Sequence, residues 1–331
     1  MSLMNADTLV ERFAQGDHAA LARIISLVEN RDPVGYEVYG RLYGRCGPAW
    51  RVGITGATGC GKSTLIARLA EYFRREGRSI GIVAIDPTSP FTSGALLGDR
   101  LRMNALVMDD EVFIRSMATR GIIGGLSRAA RMAADILEAF GKDIVFIETV
   151  GVGQAEKDIL HAVDSAVLVL APHSGDFIQM MKAGIMEIAN LFVLNKCDQP
   201  GADEMANDLN GYLDMLGPAA TDAWRQPVIP VQADRARGVE DLCRALTRHR
   251  AHAEREPANA AKRRRVRRQI SDLYMEDIAT RLRDGLRLDE RIEAATDNVL
   301  AGAGNPIREA EQLLRATRIA FADDTASDEK E

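Results

Sequence analysis

Residues 56–64 read Gly-Ala-Thr-Gly-Cys-Gly-Lys-Ser-Thr, with three glycines, a lysine and two consecutive hydroxyls in one short span. Those residue types suit a polyphosphate. Glycine lets the backbone curl around an anion so that successive N–H groups point inward. Lys62 can reach the β- and γ-phosphates, and the Ser63 hydroxyl can hold Mg2+. The spacing Gly56-x4-Gly61-Lys62-Ser63 is a complete Walker A pattern. It assigns Gly56, Ala57, Thr58, Gly59, Cys60, Gly61, Lys62, Ser63 and Thr64 to phosphate binding.

A second set of residues names the base. Asn195-Lys196-Cys197-Asp198 follows an apolar run about 130 residues beyond the first motif. Guanine presents an N1–H and an exocyclic amine side by side, and the carboxylate of Asp198 can accept from both. Adenine offers no such pair. Asn195 can tie this turn to the glycine-rich loop, and the Lys196 stem can lie over the base. The expected ligands are GTP and GDP.

A third set points to Mg2+ and water. Glu148 ends an apolar run, with Gly151 three residues on, where an amide can face a γ-phosphate. Asp86 closes another apolar run, and Asp99 follows in a Pro-, Ser-, Thr- and Gly-rich stretch that reads as a switch loop. Ser63, Asp86, Asp99 and Glu148 are the candidate Mg2+ residues. Val152 stands directly after the glycine, so Gln154 is the nearest candidate for orienting water. Lys62, Glu148 and Gln154 form the candidate catalytic set for in-line attack on the γ-phosphate. Arg115, Arg120 and Arg128 are candidates for an arginine finger.

These residues need elements to hold them. Runs such as Arg51–Thr55, Ser79–Asp86, Val112–Ser116, Asp143–Thr149, Ser165–Ala171, Leu191–Asn195 and Pro227–Ala233 are short, β-branched and apolar almost throughout. Such runs fit strands covered on both faces, and the helical stretches between them predict a doubly wound, mostly parallel α/β sheet of the P-loop type. Residues 1–48 read as an N-terminal helical extension, with Asp17 capping one helix. Residues 49–252 read as the core, 253–321 as charged helices without strand signals, and 322–331 as a polar, disordered tail. The run from Lys262 to Arg268 reads as a solvated helix face rather than a nucleic-acid site.

Bulk properties narrow the partners. The 331 residues are 46% hydrophobic and 27% charged, as in an ordinary globular chain. A net charge of −6 gives no broad attraction to nucleic acid or to an anionic membrane. The apolar runs are too short to span a bilayer, and the first residues carry no export pattern. Four cysteines without a Cys-x-x-Cys pair fit reduced thiols in a cytoplasmic protein. Cys60 reads as a small residue that fits the loop rather than a redox sensor.

With these motifs in hand the chain resembles the MeaB/ArgK family of P-loop GTPases over roughly residues 5–320. The specific marks are Asp86–Met103, Thr119–Ser127, Glu148–Glu156, Gly175–Asn190 and the Asn195–Asp198 turn. The resemblance implies a homodimeric chaperone of an adenosylcobalamin-dependent acyl-CoA mutase, methylmalonyl-CoA mutase by default, protecting it and gating cofactor loading. It implies slow hydrolysis alone and faster hydrolysis with the mutase. It also implies a base-closing loop at Gln232 and Ala233, and a partner-coupling switch with Asp176, Gln179 and Lys182. Two departures stand out. The phosphate loop reads Ala-Thr-Gly-Cys where the family commonly carries a proline, and the base-closing loop lacks the usual serine. Rival readings are a metal-insertion GTPase, which needs a His-rich or Cys/His cluster, a transport-associated kinase, and a GTP-binding scaffold without useful hydrolysis.

Overall fold

A computed structural model describes residues 5–45, 47–86, 104–118, 125–149, 162–172, 185–215, 223–255, 260–285 and 287–315. Seven strands form one sheet in the order β3-β2-β4-β1-β5-β6-β7. They are β1 (Trp50–Gly56), β2 (Ile80–Asp86), β3 (Val112–Ala118), β4 (Ile144–Glu148), β5 (Ser165–Leu170), β6 (Leu191–Asn195) and β7 (Val228–Val231). Every pair is parallel. The predicted doubly wound sheet is therefore present, and each apolar run became a strand. The last run is shorter than its composition suggests. Gln232 leaves the sheet to form a small antiparallel bridge with Arg237.

The strands are mostly apolar because alternate residues feed different layers. Val52 and Ile54 of β1, Ile144 and Phe146 of β4, and Val167 and Val169 of β5 enter one core. That core is covered by α4 (Lys62–Arg75) and a later helix, Val239–Ala253. On the opposite face, Val83, Ile85, Val145 and Ile147 pack under the N-terminal helices and α5 (Gly125–Ala139). Farther along that face, Leu168, Leu170, Phe192 and Leu194 pack with α6 (Ala202–Met215).

The N-terminal segment holds three helices, α1 (Ala6–Ala14), α2 (His18–Glu29) and α3 (Pro33–Tyr43). Asp17 caps α2 by accepting from Ala19 N at 2.7 Å, and Arg12 holds the same carboxyl below its ordinary range. Asp32 caps α3, where Pro33 stands in the first turn. Leu21, Ile24, Ile25 and Val28 of α2 and Val38 and Leu42 of α3 share one core with the sheet. A buried charge cluster fastens α5 to β1. Arg51 bonds Asp135 at 2.7 Å and Glu138 at 3.0 Å, and the Tyr39 hydroxyl of α3 donates to Asp135 at 2.7 Å.

The chain divides into two compact units, one ending at Arg265 and the other beginning at Val266. After α7 (Val239–Ala253), helix α8 (Ala260–Gly285) runs across this boundary, and α9 (Leu288–Leu300) follows. Helix resumes over 306–315, where the Asn305 side chain accepts from Ile307 N and Arg308 N.

Candidate functional site

Parallel strands bring their C-terminal ends to one edge, and β1 stands between β4 and β5 at the reversal of strand order. Open α/β sheets bind ligands at such a point. Gly56 ends β1, and a Cβ there would lie 2.1 Å from the Val169 carbonyl, so only glycine lets the loop turn beside β5. Gly61 has φ of +96°, and a Cβ there would lie 2.3 Å from Asn195 Nδ2. The last loop glycine is thus required by a side chain of the other motif.

Asn195 joins three segments. Its Nδ2 donates to the Cys60 carbonyl at 2.8 Å, and its Oδ1 accepts from Ala233 N at 3.1 Å. Lys196 adds a second tie, donating to the Gly59 carbonyl at 2.9 Å from a left-handed backbone with φ of +57°. Asp198 is exposed beside this turn, where an incoming ring can reach it. Gln232 and Ala233 are buried.

At the other end of the loop, Lys62 is buried and its ammonium donates to the Gly56 and Ala57 carbonyls at 2.8 and 2.9 Å. Ser63 donates to Glu148 Oε1 at 2.7 Å. The register of β1 and β4 sets Ile54 beside Glu148, so the carboxylate stands against the glycine-rich loop. Thr149 extends this link, donating to Thr55 Oγ1 at 2.8 Å. Asp86 stands at the end of β2, the neighbour of β4. Burial pushes the Cys60 thiol up from its ordinary value, which keeps it protonated and supports the small-residue reading over redox sensing.

The described residues leave several expectations aside and place two arginines away from the loop. Asp99, Arg120, Gln154, Asp176, Gln179 and Lys182 lie outside the described residues. Arg115 turns to the N-terminal helices, bonding Glu29 at 2.5 Å and Ser26 at 3.0 Å. Arg128 stacks over the Tyr36 ring, its guanidinium carbon 4.9 Å from the centroid.

The profile of the family described as methylmalonyl-CoA mutase-associated GTPase MeaB matches residues 21–286. The chain belongs to the MeaB family. A Pyrococcus abyssi protein named provisionally as a GTPase is 45% identical over 286 residues, covering 86% of this chain and 88% of its own. The mouse mitochondrial methylmalonic aciduria type A homolog is 31% identical over 329 residues, covering 94% of this chain and 79% of its own. A crystal structure titled LAO/AO transport system kinase superposes with a TM-score of 0.72 at 25% identity, covering 96% of this chain and 100% of that one. As a MeaB-family protein the chain is a P-loop GTPase and hydrolyses GTP.

The motif reading missed two features of this MeaB-family fold. Arg68 reaches from α4 to the loop after β7, with Nε 3.2 Å from the Ala233 carbonyl and a terminal nitrogen 3.1 Å from that of Asp234. Nothing in the sequence separates Arg68 from Arg74 and Arg75 of the same helix. The second is a buried chain at the opposite edge of the sheet. Trp50 Nε1 donates to Ser165 Oγ at 3.0 Å, and that oxygen lies 2.8 Å from His249 Nδ1. Among the described residues no group of three or more His, Cys, Asp or Glu side chains could hold a metal ion. Also among them, no helix is long and apolar enough to cross a membrane.

Proposed function

We propose that this chain is a GTP-driven chaperone of an adenosylcobalamin-dependent acyl-CoA mutase, with methylmalonyl-CoA mutase the first partner to try. The observation that carries the nucleotide reading is Asn195, which bonds the glycine-rich loop and the Ala233 amide at once. The mutase reading rests on the family description and on the mouse relative.

In this reading the amides of Gly56–Thr64 and the Lys62 ammonium cradle the phosphates. Lys62 leaves two carbonyls for a stronger partner, since a charge-assisted contact to phosphate outweighs one to a neutral carbonyl. Asp198 reads N1–H and the exocyclic amine. Asn195 and Lys196 keep the base turn on the phosphate loop, and Gln232 and Ala233 close over the base. The Ser63 hydroxyl and Glu148 carboxylate are hard oxygen donors 2.7 Å apart beside the phosphate loop, a set that suits Mg2+. Ser63, Asp86, Asp99 and Glu148 would hold the ion. When bound, it neutralises charge on the β- and γ-phosphates. Gln154 orients the attacking water, and Asp176, Gln179 and Lys182 form the switch that senses the mutase.

The protein works as a homodimer in the cytoplasm. Support for the dimer is the uncovered apolar surface beyond the first unit, including Ile270, Tyr274, Leu300 and Ile307. Support for a reducing compartment is that Cys60, Cys197 and Cys243 are free thiols.

The test is phosphate release with and without saturating mutase. Slow turnover alone and at least tenfold stimulation are expected. The double variant Gln179→Ala with Lys182→Ala should keep GTP affinity and basal turnover within a few-fold and lose the stimulation. A mutase that neither binds nor stimulates the chain defeats the chaperone reading, and full stimulation of the double variant removes these residues from the switch.

A further inference from the structure

We infer that Arg68 is a positioning residue for the base-reading loop, holding that loop on the helix that carries Lys62 and Ser63. The inference rests on the nucleotide reading above and names a residue outside its motifs.

Arg68 lies six residues past Lys62 on α4, about 9 Å along the helix axis. Its guanidinium forks onto two successive carbonyls, Ala233 and Asp234, at 3.2 and 3.1 Å. The third nitrogen is held by Glu71 Oε2 at 2.9 Å, one turn further on. Glu71 fixes the rotamer, so the fork arrives already oriented.

The loop it holds is short and turned back on itself. Gln232 and Arg237 exchange backbone bonds of 2.9 and 3.1 Å, and Ala236 takes a left-handed φ of +54°. The Ala233 carbonyl has one further backbone donor, Ala236 N, at 3.3 Å. Fixing the carbonyls of Ala233 and Asp234 sets the peptide planes on the C-terminal side of Ala233. The same residue's N–H faces Asn195 Oδ1. Arg68 supplies a fixation from outside the loop. The same α4 thus carries the phosphate-binding residues at its start and holds the base loop farther along. Weakening Arg68 should loosen recognition of the base and leave recognition of the phosphates in place.

The experiment compares two ligands on the full chain. Arg68→Ala and Arg68→Lys are titrated with GTP and with inorganic tripolyphosphate, both with Mg2+. The Arg68 side chain is about one-third exposed, so the variants should fold, and the ratio of the two affinities is insensitive to a small unfolded fraction. Arg68→Ala is expected to bind GTP at least tenfold more weakly and to release GDP at least tenfold faster. Its tripolyphosphate affinity should stay within twofold. Arg68→Lys, which can reach one carbonyl but not fork onto two, should fall between. Equal losses for both ligands would mean that α4 itself was disturbed and would overturn the inference, as would unchanged GTP binding. If the unsubstituted chain shows no preference for GTP over ATP, the nucleotide reading fails before any variant is compared, and the inference falls with it.

Discussion

Lys62 sits buried with its ammonium on two carbonyls of its own loop. Replacing those contacts with phosphate oxygens converts two neutral acceptors into charged ones, each contact worth about 1.5–3 kcal/mol. Lys62→Ala should therefore weaken GTP binding by tenfold or more while leaving the melting profile close to the parent. Calorimetric titration checks it, and affinity within twofold of the parent would refute the phosphate role. Asp198→Asn tests the other end. The amide presents a donor where guanine also donates, whereas xanthine offers a carbonyl there. Competition of GTP against XTP should shift toward XTP by at least tenfold, and an unchanged order would take base reading away from Asp198. At this scale the motifs were legible because each is local: the glycines, Lys62 and Asn195 are named by their neighbours in sequence. Arg68 was not legible, because its two carbonyl partners lie 165 and 166 residues away. The base loop has the same lesson, since it is held by Asn195 and Arg68, and neither tie is local.

Strands were the most legible elements. Their apolar runs are continuous because odd and even residues are buried in different layers, which happens only when helices cover both faces. Helix α1 was harder to separate from the general helical character of residues 1–48, and its Asn5 cap became visible only through its bond to Thr8 N at 2.9 Å. The chain from Trp50 to His249 had no sequence signal at all, since it links β1, β5 and α7 only after folding. Its chemistry carries a prediction. Indole N–H donates only, so Ser165 Oγ accepts from Trp50, and the same oxygen lies 2.8 Å from His249 Nδ1. His249 is itself buried. Burial, aided by the nearby His252, lowers its pKa to about 4. A lowered histidine leaves stability intact above the ordinary value of about 6.5. Below it the unfolded chain takes up a proton that the folded chain refuses until about pH 4, so stability falls across that window. Between pH 7 and pH 5 this site should cost about 2 kcal/mol. Urea unfolding of His249→Gln should show a smaller pH dependence by about that amount. Identical pH slopes for the two proteins would show that His249 titrates normally in the fold.

The whole molecule divides its apolar surface unevenly. Each of the three buried core clusters ends by Leu246, and no described residue beyond His249 is buried. The first unit therefore holds a complete core without the helices that follow Arg265. Beyond that point several large apolar side chains stand in solvent, with Leu300 80% exposed and Ile307 75% exposed. Charged helices that bury so little on their own gain their stability by packing against something else. A second copy is the partner that the homodimer reading supplies. The boundary matters for the test, because Arg265 still pairs with Asp164 of the first unit and should be kept. Removing Val266–Glu331 should leave GTP affinity within threefold and the cooperative unfolding of the core unchanged in form. The same cut should convert a dimer into a monomer at low micromolar concentration in light scattering. A shortened chain that remains dimeric would place the interface on the first unit. One that loses GTP binding would show that the second unit completes the nucleotide site, and the division of labour argued from burial would be wrong.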